Sequence, residues 1–251
     1  MFDKYFEVFL ADTLEAQKIH YHIRYQVYCE ELGYEDPTQF PDQLEFDKWD
    51  PMGNHISASK LFLVRLRHTK QWIGAMRLVP YNGHALPLEE TTSLDHPIKP
   101  PSLEVSRLCL VKEIRKPYTQ NAYGIDESDT LPDVSFENNN NDQVTLFYSN
   151  PKIKSTIIWG LFNAAMQYSQ ANNIKKWYLL SNKALLRLIS RQGFTIEQVG
   201  STCEHRGQRS PYRFDVDEIA TNPIWNNFKK PYYLYSERLE QTKVSPLKMA
   251  N

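Results

Sequence analysis

The chain of 251 residues lacks the features that would place it in an oxidising compartment or in a membrane. Its three cysteines, Cys29, Cys109 and Cys203, are an odd number without metal-ligand spacing, so a reducing compartment is expected. No basic start is followed by an apolar run, and no stretch reaches the roughly 18 apolar residues that a membrane-spanning helix needs. The sequence predicts a cytoplasmic protein without an export signal.

Net charge is also nearly absent, because 29 basic and 30 acidic residues leave a formal charge of -1. Such a balance gives no global field toward nucleic acid, and the basic residues form no long stripe interleaved with aromatics. The seven histidines lack ligand spacing, so no metal site is predicted. By contrast, 41% hydrophobic and 13% aromatic residues suffice for a sizeable buried core.

Hydrophobic periodicity predicts an alternation of strands and helices along the chain. Strands are predicted over 5–11, 60–66, 71–80, 103–111, 175–181 and 212–219, and helices over about 12–33, 155–173 and 182–194. Asp12 with Glu15 matches a capping box at the start of the first helix, Gly33 is its expected end, and Ser155 is the expected N-cap of the second. This order predicts an α/β fold with a single mixed sheet rather than two domains.

The predicted domain covers residues 1–220 and contains an insertion over about 119–150. Between Gly124 and Asp142 the insertion carries acids without a single Lys or Arg, which predicts a mobile segment. The tail over 221–251 is rich in aromatics and is expected to pack against the domain as a short helix.

The strand sequence "LEVSRLCLV" (Leu103–Val111) carries polar residues inside an apolar run. Strand alternation puts Glu104 and Ser106 on one face and Arg107 on the other. Glu104 could act as a general base and Arg107 could clamp a carboxylate with two parallel hydrogen bonds. The alternative is an internal ion pair, or an edge strand whose charges reach water. Cys109 in this strand is expected to be a packed thiol, since no neighbouring His activates it.

Four further charged residues are candidates for the same site. Arg24 lies on the first helix, Asp47 and Asp50 lie in the loop sequence "FDKWD", and Arg77 interrupts an apolar strand. Each has a plain alternative: a solvated helix face for Arg24, loop caps for the two acids, and an exposed strand position for Arg77.

Taken in order, "RYQVYCEELGY", "EFDKWD", "IGAMRLVP" and "LEVSRLCLV" resemble the acyl-homoserine-lactone synthases and the related N-acyl amino acid synthases, which are acyltransferases of the GNAT superfamily. The later "HRGQRSPYRFDV" is similar to the closing strands of acyltransferases associated with PEP-CTERM/exosortase gene systems. The resemblance implies one mostly antiparallel central sheet flanked by helices. It departs at Tyr34, where lactone synthases usually have Trp, and in the insertion and tail.

The resemblance, together with the chemistry of the residues, assigns expected roles. Glu104 and Ser106 are expected to be catalytic. Substrate binding is expected from Arg24, Tyr28, Tyr34, Asp47, Asp50, Arg77 and Arg107, with the two aspartates also ordering an N-terminal lid. The donor strand is expected to be Leu108, Cys109, Leu110 and Val111, where backbone N–H groups at a bulge could stabilise an oxyanion.

No glycine-rich phosphate cradle follows Val111, although many GNAT enzymes have one for coenzyme A. A basic cluster is present instead, formed by Lys112, Arg115, Lys116, Lys152 and Lys154. Such a cluster suits an acidic acyl carrier protein, and its alternative is a solvated positive surface. The expected co-substrate is therefore the phosphopantetheine thioester acyl-ACP, with acyl-CoA as a second option and no tightly bound cofactor.

The expected reaction transfers a long-chain acyl group from acyl carrier protein to the α-amine of an amino acid. Its lipid product would be expected to associate with membranes. Two alternatives stay open: an acyl-homoserine-lactone synthase that uses S-adenosylmethionine, and a non-catalytic module that binds an acyl chain or acyl carrier protein.

Overall fold

The computed structural model describes residues 2–53, 59–115 and 151–238. The helices are α1 (Phe2–Tyr5), α2 (Leu14–Tyr25), α3 (Pro87–Thr91), α4 (Lys112–Arg115), α5 (Pro151–Ala171), α6 (Lys183–Ser190) and α7 (Val216–Ala220). The strands are β1 (Phe6–Leu10), β2 (Lys60–Leu66), β3 (Trp72–Pro80), β4 (Ser102–Leu110), β5 (Lys176–Ser181), β6 (Glu197–Gln198), β7 (Cys203–Glu204), β8 (Gln208–Asp215) and β9 (Tyr233–Leu234).

One sheet organises the described chain in the order β6-β8-β5-β4-β3-β2-β1-β9, and β7 pairs with β8. Its neighbours are antiparallel except for the parallel pairs β4/β5 and β1/β9. The central strands read as nearly continuous apolar runs because they are covered on both faces, as the full burial of Leu61, Phe62, Leu63 and Val64 shows. The predicted α/β class with a mixed, mostly antiparallel sheet flanked by helices is confirmed.

The parallel pair β4/β5 opens into a cleft. Pairing is confined to Ser102–Glu104 on β4 and Lys176–Tyr178 on β5, while β5 stays paired with β8 along its length. Beyond that point the two strands diverge, and residues from both line opposite walls of a cavity. Backbone N–H and C=O groups on this edge of β4 therefore face the cleft rather than a neighbouring strand.

A β-bulge interrupts β4 at the cleft. Ser106 pairs with Arg77 and Cys109 with Ala75, so Arg107 and Leu108 together oppose one residue of β3. The φ angle of Arg107 is 51°, in the left-handed region that residues other than glycine rarely adopt. Bulges re-aim side chains and bend a strand, and this one does so beside the cavity.

The N-cap of α2 lies one residue later than predicted. Thr13 is its N-cap, and its hydroxyl oxygen accepts a hydrogen bond from the Ala16 N–H at 3.2 Å. Asp12 instead accepts hydrogen bonds from the backbone N–H and the hydroxyl of Ser236 in the tail. After α2 a π-helical turn (Gln26–Glu31) continues to Gly33, whose φ of 62° fits the predicted end.

The long helix α5 begins earlier than predicted. Its described part starts at Pro151, so Ser155 lies inside the helix and is not the N-cap. The Ser155 hydroxyl donates to the Lys152 carbonyl at 2.9 Å, a local bond of the kind serine forms within helices.

The C-terminal part differs from the predicted strand over 212–219. Strand β8 ends at Asp215, whose carboxylate accepts hydrogen bonds from the first N–H groups of α7 and so caps a short helix. The tail was expected to form a short helix. It contains a 3₁₀ turn (Pro223–Asn227), then adds β9 to the edge of the sheet, parallel to β1, and residues 235–238 after β9 are helical. The predicted insertion over 119–150 lies outside the described residues.

Candidate active site

The cleft between β4 and β5 leads into a cavity of about 790 Å³, within the size range of small-molecule sites. Along β4 the lining changes from polar Glu104, Ser106 and Arg107 to apolar Leu108 and Leu110. The apolar lining continues through α5, β5 and α6 with Ile158, Leu179, Leu185 and Leu188. One wall of the cavity is thus suited to charged groups and another to apolar groups.

Glu104 lies almost fully buried at the polar end of β4. Its Oε2 accepts a hydrogen bond of 2.8 Å from the Leu88 N–H in the first turn of α3. Burial raises the pKa of this carboxyl to about 8, although the hydrogen bond from Leu88 and the charge of Arg77 oppose the rise. A carboxyl with this pKa can take up or release a proton near neutral pH, as a general base must.

Arg24 is fully buried and held by two acids of the following loop. Its Nη1 donates to both carboxylate oxygens of Asp50 at 2.9 Å, and its Nε donates to Glu45. Burial alone would raise the pKa of Asp50, but the guanidinium groups of Arg24 and Arg77 outweigh it and hold the pKa to about 2. Arg24 therefore anchors the loop to α2.

Arg77 and Arg107 extend this network from the sheet. Arg77 Nη1 lies 2.5 Å from Asp47 and 3.0 Å from Asp50, and its Nε donates to the Ser106 hydroxyl oxygen at 3.1 Å. Arg107 Nη2 lies 2.8 Å from Asp47 and 3.2 Å from Glu45. Three guanidinium groups thus meet three carboxylates, and the loop is tied to α2, β3 and β4 at once.

The predicted face of Arg107 is wrong. Regular alternation would have placed Arg107 on the side opposite Ser106. The bulge instead turns Arg107 toward Asp47, and Arg77 contacts both Asp47 and Ser106. Glu104, Ser106 and Arg107 all line the cavity. The internal ion pair that was the alternative for the polar strand is present, in the same place as the candidate site.

Tyr28 and Tyr34 form an aromatic wall. Their rings stack at a centroid distance of 6.4 Å with 25° between planes, and both line the cavity. The guanidinium of Arg206 lies 5.3 Å from the Tyr28 ring centroid and 5.9 Å from that of Tyr34. These distances suit cation–π contacts, so the two tyrosines support an arginine from the turn between β7 and β8.

The expected donor strand lines the cavity except at its last residue. Leu108, Cys109 and Leu110 are lining residues, whereas Val111 is buried and donates its N–H to the Ile73 carbonyl at 3.1 Å. Burial raises the pKa of the Cys109 thiol to about 12, so it carries no thiolate at neutral pH. Cys109 is a packed thiol rather than a nucleophile.

The basic cluster expected to dock a carrier protein is divided. Lys112, Lys152 and Lys154 are exposed, and Lys154 also lines the cavity. Arg115 donates to the Leu110 carbonyl at 2.9 Å and forms an ion pair with Glu31, so it fastens the end of β4. Lys116 lies outside the described residues.

Sequence reasoning missed four residues of this site. Glu45 lies two positions before Asp47, and its place in the same short acidic loop was the signal. His205, Arg206 and Arg209 come from "HRGQR", which carried a family resemblance but no assigned role. They reach the cavity because β8 pairs with β5, one wall of the cleft.

Comparisons with known proteins concern mainly the fold. Residues 23–123 match the family model described as an acetyltransferase (GNAT) domain. No curated protein matches the sequence. The structure is similar to the CoA-dependent acyl-homoserine lactone synthase BjaI with SAM and isopentyl-CoA, with 15% identity, a TM-score of 0.60 and coverage of 92% of each chain.

Two further solved structures are similar. One is FeeM, an N-acyl amino acid synthase from uncultured soil microbes, with 11% identity, a TM-score of 0.53 and coverage of 90% of this chain and 98% of that one. The other is the AHL synthase LasI, with 15% identity, a TM-score of 0.55 and coverage of 84% and 90%. The topology and the family match identify a GNAT-like fold. No helix in the described part of the chain is long and apolar enough to cross a bilayer.

Proposed function

We propose that the protein is an N-acyltransferase that moves a long-chain fatty acyl group from acyl carrier protein to the α-amine of an amino acid. The observation that carries the proposal is Glu104, a buried carboxyl whose pKa is raised to about 8. It lines the same cavity of about 790 Å³ as the apolar residues of β4, α5, β5 and α6. The GNAT-like fold and the similarity to an N-acyl amino acid synthase support it.

In the proposed reaction the thioester lies along Leu108 to Leu110 and the amine lies beside Glu104. After its ammonium form has lost one proton to solvent, the neutral amine attacks the thioester carbon, and Glu104 takes a second proton from the nitrogen as the C–N bond forms. The C–S bond then breaks. The proton returns from Glu104 to the leaving sulfur. Backbone N–H groups of β4 at the open cleft stabilise the developing oxyanion, and Ser106, fixed by Arg77, helps to orient the amine.

The donor and its docking are part of the proposal. Lys112, Lys152 and Lys154 are exposed and Lys154 lines the cavity, and in the proposal these lysines dock an acidic carrier protein. Acyl-CoA is the competing donor, and the similarity to the CoA-dependent BjaI makes it a necessary comparison. Association with PEP-CTERM/exosortase systems is proposed on the closing strands alone.

A reconstituted assay tests the function. Purified protein is incubated with long-chain acyl carrier protein or acyl-CoA and the twenty amino acids, and products are identified by mass spectrometry. An N-acyl amino acid that forms with acyl carrier protein in preference to CoA is the expected result. Consumption of the thioester that does not depend on any amine would contradict the proposal.

A variant connects the assay to the site. Glu104→Gln is expected to lower turnover by about 10²–10⁴-fold, the usual contribution of a general base, with little change in donor binding. Near-normal turnover in this variant would remove Glu104 from the base role.

A second candidate is a lactone synthase, favoured by the similarity to BjaI and LasI. It predicts release of methylthioadenosine when S-adenosylmethionine is added to the same assay. Donor binding without turnover across all amines would instead favour a non-catalytic acyl-binding module.

A further inference from the structure

The cavity has a cationic wall that comes from the turn between β7 and β8. Three lining residues, His205, Arg206 and Arg209, are supplied by this turn and the start of β8. The turn is tight, because Arg206 and Gly207 have φ angles of 53° and 91° and the His205 N–H donates to the Gly207 carbonyl at 3.1 Å. The backbone thus presents these side chains from a fixed position.

The arginines first expected to bind an acceptor carboxylate are already neutralised. Arg24, Arg77 and Arg107 are matched one to one by Glu45, Asp47 and Asp50. Arg24 and Arg77 are also fully buried. A fourth carboxylate brought to this cluster would be an unpaired buried charge, which is strongly unfavourable.

Arg209 differs from every other arginine of the cavity. Arg206 is paired with Glu35, and Arg115 with Glu31. In the described part of the chain Arg209 has no carboxylate within ion-pair distance, while its Nε donates to the His205 carbonyl at 2.8 Å. That bond fixes the plane of a half-buried guanidinium and leaves its two terminal nitrogens to bind a ligand.

We propose that Arg209 binds the carboxylate of the amino acid acceptor and so selects amino acids over simple amines. This inference rests on the proposed function. In it, Arg209 on the β8 side holds the carboxylate while Glu104 on β4 receives the proton of the neighbouring amine. His205 lies next to the same position and can add a hydrogen bond.

The experiment compares two acceptors in wild-type protein and in Arg209→Gln. One acceptor is the amino acid with the highest turnover in the panel, and the other is the primary amine with the same side chain but no carboxylate. Loss of a charge-assisted pair should raise KM for the amino acid about 10- to 100-fold in the variant. KM for the amine and for the acyl donor should not change, and Arg209→Lys should recover part of the loss.

Arg213→Gln is the matched control, because Arg213 lies on the same strand but outside the cavity and pairs with Glu197. Equal losses with both acceptors, or a higher KM for the donor, would overturn the inference, the latter by assigning Arg209 to the donor phosphate. Calorimetric titration of each amino acid of the panel against donor-free protein tests the inference separately from the proposed acyl transfer. Binding that disappears in Arg209→Gln supports the inference even where no turnover occurs, whereas binding that persists contradicts it.

Discussion

At the scale of single residues, Glu104 shows how a strand position becomes a candidate base. The residue sits on β4, and its carboxyl is buried against the first turn of α3. Burial is the largest influence on its pKa, and the Leu88 N–H and the nearby arginines only partly offset it. An exposed glutamate at the same place in an edge strand would keep an ordinary pKa and would be almost fully ionised at pH 7.

The pH dependence of the reaction follows from this pKa. Glu104 must be ionised to accept a proton, so turnover at saturating substrates should fall about tenfold per pH unit below pH 8. Rates of product formation between pH 5.5 and 9.5, at constant ionic strength, measure the profile. In Glu104→Gln the remaining slow rate should lose this inflection. A wild-type profile that is flat from pH 6 to 9 would show that Glu104 does not limit the rate.

At the scale of elements, the β4 bulge holds the acidic loop that contains Glu45, Asp47 and Asp50. The left-handed φ of Arg107 re-aims its side chain, and that side chain then holds Asp47 and Glu45 of the loop. Arg24 on α2 and Arg77 on β3 bind Asp50 and Asp47 of the same loop. The described part of the loop has one short 3₁₀ turn (Pro37–Gln39), and the ion pairs attach the loop to three elements beside the cavity.

Removal of one buried arginine should therefore cost much more than removal of an exposed one. Arg24→Met removes the guanidinium that Glu45 and Asp50 share, which leaves three acids for two arginines, and the expected loss in the free energy of unfolding is about 3–5 kcal/mol. Lys48→Met, which removes the exposed pair with Glu90, should cost about 1 kcal/mol or less. Urea unfolding of both variants at pH 7 gives the comparison, and equal losses would show that the buried network adds no stability.

At the scale of the whole molecule, the sequence predicted the sheet better than the site. Strand β2 covers the predicted residues, because a short apolar run bounded by polar turns predicts a buried strand. The roles of Arg24 and Arg77 could not be separated from ordinary surface positions, because their partners are 21 to 30 residues away. Arg209 was equally hidden, since only the pairing of β8 with β5 brings it to the cavity.

The position of the tail could not be predicted from its sequence either. Its aromatics suggested a packed segment, but only the fold shows that β9 covers the edge of β1. Tyr233 and Tyr235 contact the ring of Phe9, and the Tyr235 hydroxyl donates to Glu15 on α2 at 2.9 Å. The tail therefore closes an edge that would otherwise present unpaired backbone groups.

A chain that ends at Lys230 should lose this cover, melt at a lower temperature and associate at high concentration. The reason is that the exposed β1 edge can pair with a second copy while the Phe9 surface loses its aromatic partners. Thermal melts and light scattering across a concentration series measure both effects. A chain that ends at Arg238 keeps β9 and is the matched control, expected to stay close to the full chain in both measurements. If the two truncations behave alike, pairing of β9 with β1 is not what protects this edge.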